Sequence, residues 1–224
     1  METRYRTDYA GEFVVVESVW SGGKKSEKRE WIPNPIENQH ISGRAACIGS
    51  NLDHGFGVGK FDYTILQRHR GGLLSSKKLQ TYGVGSVAKQ MRLDFAVESN
   101  AKNLKDLLDI GYPTDNIVYT TGINCVRYPG NFYLIPLNPR LLDIATIVYL
   151  AAFDGHKEIF LLGYTDETPV EHPTWMNHVA AVFNAYPGVQ FYLIGESTRM
   201  YDVWLNCGNV RSMNYREWIS YCDV

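Results

Sequence analysis

Lys157-Glu-Ile-Phe-Leu-Leu-Gly163-Tyr164-Thr165-Asp166-Glu167 runs apolar without interruption over residues 159–162 and then opens, at a glycine, into a polar, acidic loop. A short strand with no polar alternation has water on neither face, which is the condition of a parallel sheet covered on both sides. Just before it, residues 141–153 carry apolar side chains at helical spacing. Helix, buried strand and glycine turn together make one unit of an alternating α/β chain.

The same alternation extends in both directions. Residues 45–48, 63–66, 93–97, 117–119, 132–135 and 189–194 read as further strands, and residues 73–82, 101–110 and 175–186 as helices. The expected fold is therefore α/β: a doubly wound, mostly parallel, Rossmann-like sheet over residues 44–224. Residues 1–43 differ. A β-branched, aromatic run at 12–20, the turn Ser21-Gly22-Gly23 and a return at 30–32 predict an N-terminal β-hairpin, followed by a Pro-containing polar linker.

Composition narrows the function classes. With 45% hydrophobic and 21% charged residues the chain is an ordinary globular one. A formal net charge of −2 provides no global field for a polyanion, so nucleic acid is a possible partner that the bulk charge does not favour. Lys24, Lys25, Lys28 and Arg29 form a local basic tip on the hairpin. The amino terminus has no apolar leader, and the longest apolar runs are too short to span a bilayer. A cytoplasmic protein is expected. The 4 cysteines, Cys47, Cys125, Cys207 and Cys222, form no C-x-x-C pair and read as buried free thiols, Cys47 in a strand and Cys125 in a loop.

In a doubly wound sheet the ligand crevice lies beyond the carboxyl ends of the strands, where strand order reverses. Gly49-Ser50-Asn51 follows the first core strand, a glycine that admits a phosphate or nucleoside to the backbone with two polar side chains beside it. It is neither a dinucleotide fingerprint nor a P-loop. Gln67, Arg68, His69 and Arg70 cluster donors after the second strand. Glu98 and Ser99 end the third and could touch a ribose or base, whereas Asn100 suits a helix cap and Pro139 a first helical turn. Gly163, Tyr164, Thr165 and Asp166 lie where substrate would sit. His172, in a loop ahead of the last long helix, is the natural general base. The group Asp166, Glu167, Glu171, His172 and His178 resembles a metal site in composition, but its spacing matches no metal-binding signature, and no metal or other cofactor is expected.

Residues 147–166, a helix, a Lys-Glu-Ile strand and the loop Gly163-Tyr164-Thr165-Asp166, are similar to the helix, Lys-Glu-Ile strand and Gly-x-Asp loop of the small bacterial sialyltransferases and the sialyltransferase-like glycosyltransferases around them. Phe61-Asp62 with Gln67, and the closing run Val210-Arg-Ser-Met-Asn-Tyr-Arg-Glu-Trp218, follow the same order. The resemblance covers residues 44–218. Gly49-Ser50-Asn51 stands where the family has Gly-Asn-Gly-Pro-Ser, and Leu142-Asp143-Ile144 where it has Thr-Ser-Gly or Thr-Gly. The resemblance implies metal-independent transfer of a sugar from a nucleotide-sugar substrate to a hydroxyl acceptor, with inversion and with His172 as general base. The base and ribose would be held by Gly49, Ser50, Asn51, Gln67 and Glu98, and the leaving phosphate by Arg68, His69 or Arg70. A nucleotide- or sugar-binding module without catalysis and a DNA-base-modifying glycosyltransferase are the alternatives.

Overall fold

The computed structural model of the chain describes residues 9–35, 43–49, 66, 79–164, 174–195 and 200–223. Strands β1 (Tyr9–Ser21) and β2 (Lys24–Pro35) form an antiparallel two-stranded sheet of their own. Gly22 and Gly23 turn it with φ of 58° and 78°, the doubly left-handed geometry that suits a tight hairpin and that glycine adopts without strain.

The second sheet holds β3 (Arg44–Ile48), β4 (Leu79–Val84), β5 (Phe95–Val97), β6 (Ile117–Thr120), β7 (Tyr133–Leu134), β8 (Glu158–Leu162), β9 (Gln190–Ile194) and β10 (Val210–Met213). Its spatial order is β10-β9-β8-β3-β4-β5-β6-β7, and every pairing is parallel. From β3 the chain builds outward to β7, crosses back, and builds outward again from β8 on the other flank. The order therefore reverses between β3 and β8.

The helices are α1 (Gly85–Ala88), α2 (Ala101–Asp109), α3 (Tyr112–Asp115), α4 (Gly122–Arg127), α5 (Asp143–Phe153), α6 (Trp175–Ala185) and α7 (Tyr215–Asp223). The crossover is made by α5, whose residues from Ile144 to Phe153 are all buried. A helix that is apolar all round needs neighbours all round. It lies on β3, β4, β5 and β8 and is flanked by α6. On this face the Cys47 thiol contacts the Ile147 carbonyl at 3.5 Å, and Phe183 meets Phe191 at a centroid distance of 4.5 Å. The opposite face is covered by α7, where Trp218 and Tyr221 pack on Phe160, itself stacked on Tyr192 at 5.3 Å. At its rim Arg44 Nε donates to Glu158 at 3.0 Å, and Arg44 lies over the Tyr221 ring, whose hydroxyl also donates to Glu158. At the far end of α5, the buried Tyr82 hydroxyl donates to Asp154 at 2.7 Å and lies 3.1 Å from His156 Nε2.

Several expectations change. Residues 79–84 are a strand, not the end of a helix over 73–82: residues 81–84 are buried without a break, and a Cβ on Gly83 would meet Leu93 at 2.6 Å. Residues 73–78 lie outside the described residues, as does the expected strand at 63–66 except for Leu66, which is helical and buried. Helix α5 starts at Asp143, so Pro139 is not in its first turn. The segment before it turns too sharply for helix, with left-handed φ of 54°, 41° and 55° at Leu137, Asn138 and Arg140. Cys125 lies in α4, not in a loop, and all 4 cysteines are buried free thiols, as expected. Among the described residues no helix is long and apolar enough to cross a membrane.

Phe160 is fully buried between β9 and α7. Phe160→Ala is expected to lower the unfolding free energy in urea by about 3–5 kcal/mol. Ile110→Ala, at a position 62% exposed, should change it by no more than about 0.5 kcal/mol.

Candidate functional site

The reversal between β3 and β8 places two glycines side by side. Gly49 N donates to Leu162 O at 2.8 Å, which carries the strand pairing one residue past β3. A Cβ on Gly49 would lie 2.9 Å from the Gly163 carbonyl oxygen and 3.5 Å from Ile144 Cδ1. Any side chain there would push the two strand ends apart. Gly163, with φ of 73°, turns the chain out of β8 in a conformation that other residues rarely hold. Glycine at position 49 thus lets the two strand ends lie backbone against backbone where they part.

The first turn of α5 forms the adjoining wall and is fastened from three directions. Tyr164, 1% exposed, donates its hydroxyl to Ile144 O at 2.7 Å. His178 of α6 accepts from Leu142 N through Nδ1 at 3.1 Å, so the neutral ring carries its proton on Nε2. Asp143 accepts from Ser99 N at 2.8 Å and Ser99 Oγ at 2.5 Å. A carboxylate in the first turn also suits the positive end of the helix dipole.

Around Glu98 the polar groups close on one another. Its oxygens accept from Asn100 N at 2.8 Å and Asn103 Nδ2 at 3.1 Å. Asn100 caps α2, as the sequence predicts, accepting from Lys102 N and Asn103 N. Asn124 Nδ2 donates to Ser99 O at 2.8 Å and to Thr120 at 3.0 Å. A Cβ on Gly85 would stand 2.3 Å from Glu98 Oε2, so α1 can begin where it does only with glycine. Burial pushes the Glu98 carboxyl up to about 7; the Asp143 charge adds to this, while the Asn100 and Asn103 donors and Lys89 oppose it. Burial raises Asp143 too, against the lowering effect of its bonds to Ser99.

Of the residues marked out in the sequence, Gly49 and Gly163 come together at the reversal point. Tyr164 joins them through its backbone, its side chain facing the core. Glu98 and Ser99 follow β5, two strands or about 10 Å from β3, with their side chains engaged by Asn103 and Asp143. Ser50, Asn51, Gln67, Arg68, His69, Arg70, Thr165, Asp166 and His172 lie outside the described residues. Asp143 was not marked out, although an acidic residue ahead of an apolar helix is a recognisable first-turn signal. Among the described residues no three His, Cys, Asp or Glu side chains gather as a metal site. A hollow of about 340 Å³ between α5 and α6, walled by Leu141, Tyr149, Val182 and Tyr186, is apolar and separate from the crevice.

Because the folded Glu98 value lies above the ordinary 4.5, its contribution to stability is complete below about pH 4.5 and is lost as pH rises towards 7. Relative to wild type, Glu98→Gln should therefore gain unfolding free energy in urea between about pH 5 and about pH 8. A difference independent of pH would contradict the buried, raised carboxyl.

Comparison with family models, with curated proteins and with solved structures finds no match to this chain.

Proposed function

We propose that the chain binds a nucleotide at the reversal between β3 and β8 and is a glycosyltransferase, moving a sugar from a nucleotide-sugar donor to a hydroxyl acceptor. The observation that carries the binding half is the paired, side-chain-free backbone of Gly49 and Gly163 at the carboxyl edge of an all-parallel sheet. In such sheets this is where nucleotides sit. The transfer half rests on the order of segments over residues 147–166 and on His172, a histidine between the Gly163 loop and α6.

In this mechanism the glycines bring donor phosphate and ribose against the backbone, and Ser50 and Asn51 supply polar contacts. Arg68, His69 and Arg70 offset the charge that develops on the leaving phosphate. His172 takes the acceptor proton as the bond from sugar to phosphate breaks, so that neutral hydroxyl and donor give glycoside and nucleotide with inversion. Glu98 and Ser99 stand at the end of β5 as further contacts for ribose and base, and the bonds from Ser99 to Asp143 hold that strand end to the first turn of α5.

Release of nucleotide from a panel of CMP-, UDP- and GDP-sugars tests the proposal. Turnover of one donor class by wild type is expected, with His172→Ala slowing it by about 10²–10⁴-fold while donor affinity stays within a few-fold. Gly49→Val should lose donor binding itself. Nucleotide binding without turnover of any donor would leave a binding module in place of the enzyme, and no binding at all would remove both.

A further inference from the structure

The β1–β2 ribbon ends in a distinctive group of side chains. At about 3.3 Å per residue its 13-residue first strand extends some 40 Å. Every residue from Val19 to Ser26 is exposed. Trp20, 71% exposed, stands directly opposite Lys25 in the strand register, with Ser21 opposite Lys24 beside it. Cβ atoms built on Gly22 and Gly23 meet nothing within 4 Å, so the turn stands clear of the body. The tip carries 2 lysines and no acidic residue, in a chain of net charge −2.

We propose that this tip is a contact for single-stranded nucleic acid, with Lys24 and Lys25 against phosphates and Trp20 stacked on an unpaired base. An exposed aromatic face next to lysine ammonium groups is the combination that holds single strands without sequence preference. Two other anionic partners fit less well. A membrane surface calls for a continuous apolar face, but Val19 and Trp20, adjacent in a strand, point to opposite sides of the ribbon. A protein interface has an apolar core, whereas Val19 and Trp20 are the only large apolar side chains of the tip. Strand β1 packs on α4, which follows the carboxyl end of β6 and so lies at the same edge of the sheet as the crevice. The inference stands on the ribbon alone and is independent of what the crevice binds.

Fluorescence anisotropy of the full chain with a labelled single strand of about 20 nucleotides, over about 50 to 200 mM salt, tests it. Wild type should bind with an affinity that falls as salt rises. Lys24→Gln with Lys25→Gln should make the slope of log affinity against log salt shallower by about 1.4. Trp20→Ala should weaken binding by roughly five- to one-hundred-fold. All three positions are exposed, so melting temperatures should not move, and this separates lost contact from lost folding. Four results would overturn the proposal: no binding, binding that neither variant alters, a preference for duplex over single strand, or Trp20-dependent binding to phosphatidylserine vesicles in place of the oligonucleotide.

Discussion

A helix with every residue from Ile144 to Phe153 buried can exist only between other layers, and that requirement organises the rest of this molecule. Helix α5 must lie on the sheet, with α6 beside it. As the link between β7 at one edge and β8 near the middle, it returns the chain across β6, β5 and β4 to the flank of β3. The reversal of strand order, and the crevice that comes with it, follow from that path. The first turn of α5 is then a wall of the crevice, and its fastenings to Tyr164, His178 and Ser99 set where the wall stands.

Those fastenings come with an electrostatic cost. Two carboxyls, the buried Glu98 and the half-buried Asp143, stand close together, and desolvation pushes both towards their neutral forms. Their surroundings offset this by supplying donors to the ionised forms: the amide and hydroxyl of Ser99, the amide of Asn100 and the side chain of Asn103. Removing one side chain leaves its carboxyl with one donor fewer, which costs more than the lost bond itself. These residues therefore also bear on function by holding backbone in position.

Much of the fold was legible because burial leaves its mark on composition. The runs at 159–162 and 189–194 are apolar where both faces are covered, and α2 announces itself by amphipathic spacing and by Asn100 at its start. Strand β4 falls inside the segment 73–82, which reads as a helix, because the evidence for a strand lies in tertiary contacts such as Gly83 against Leu93. Edge strand β10 is only half-buried and has no apolar run to betray it. Asn214 and Glu217, which exchange backbone-to-side-chain bonds at 2.9 Å, form a capping box for α7 that the spacing does encode. At the site, Gly49 and Gly163 could be found from their places after apolar runs. That they meet could not, since adjacency of β3 and β8 is a property of the crossover.

The central claim is that a nucleotide lies against the backbone where β3 and β8 part. Hydrogen exchange of the full chain, compared with and without CMP, UDP, GDP and ADP, tests it most directly. Binding of one nucleotide should slow exchange in the peptides carrying Gly49 and Gly163 and leave α7 and the β1–β2 ribbon unchanged. Protection confined to other elements, or none with any of the four, would contradict it.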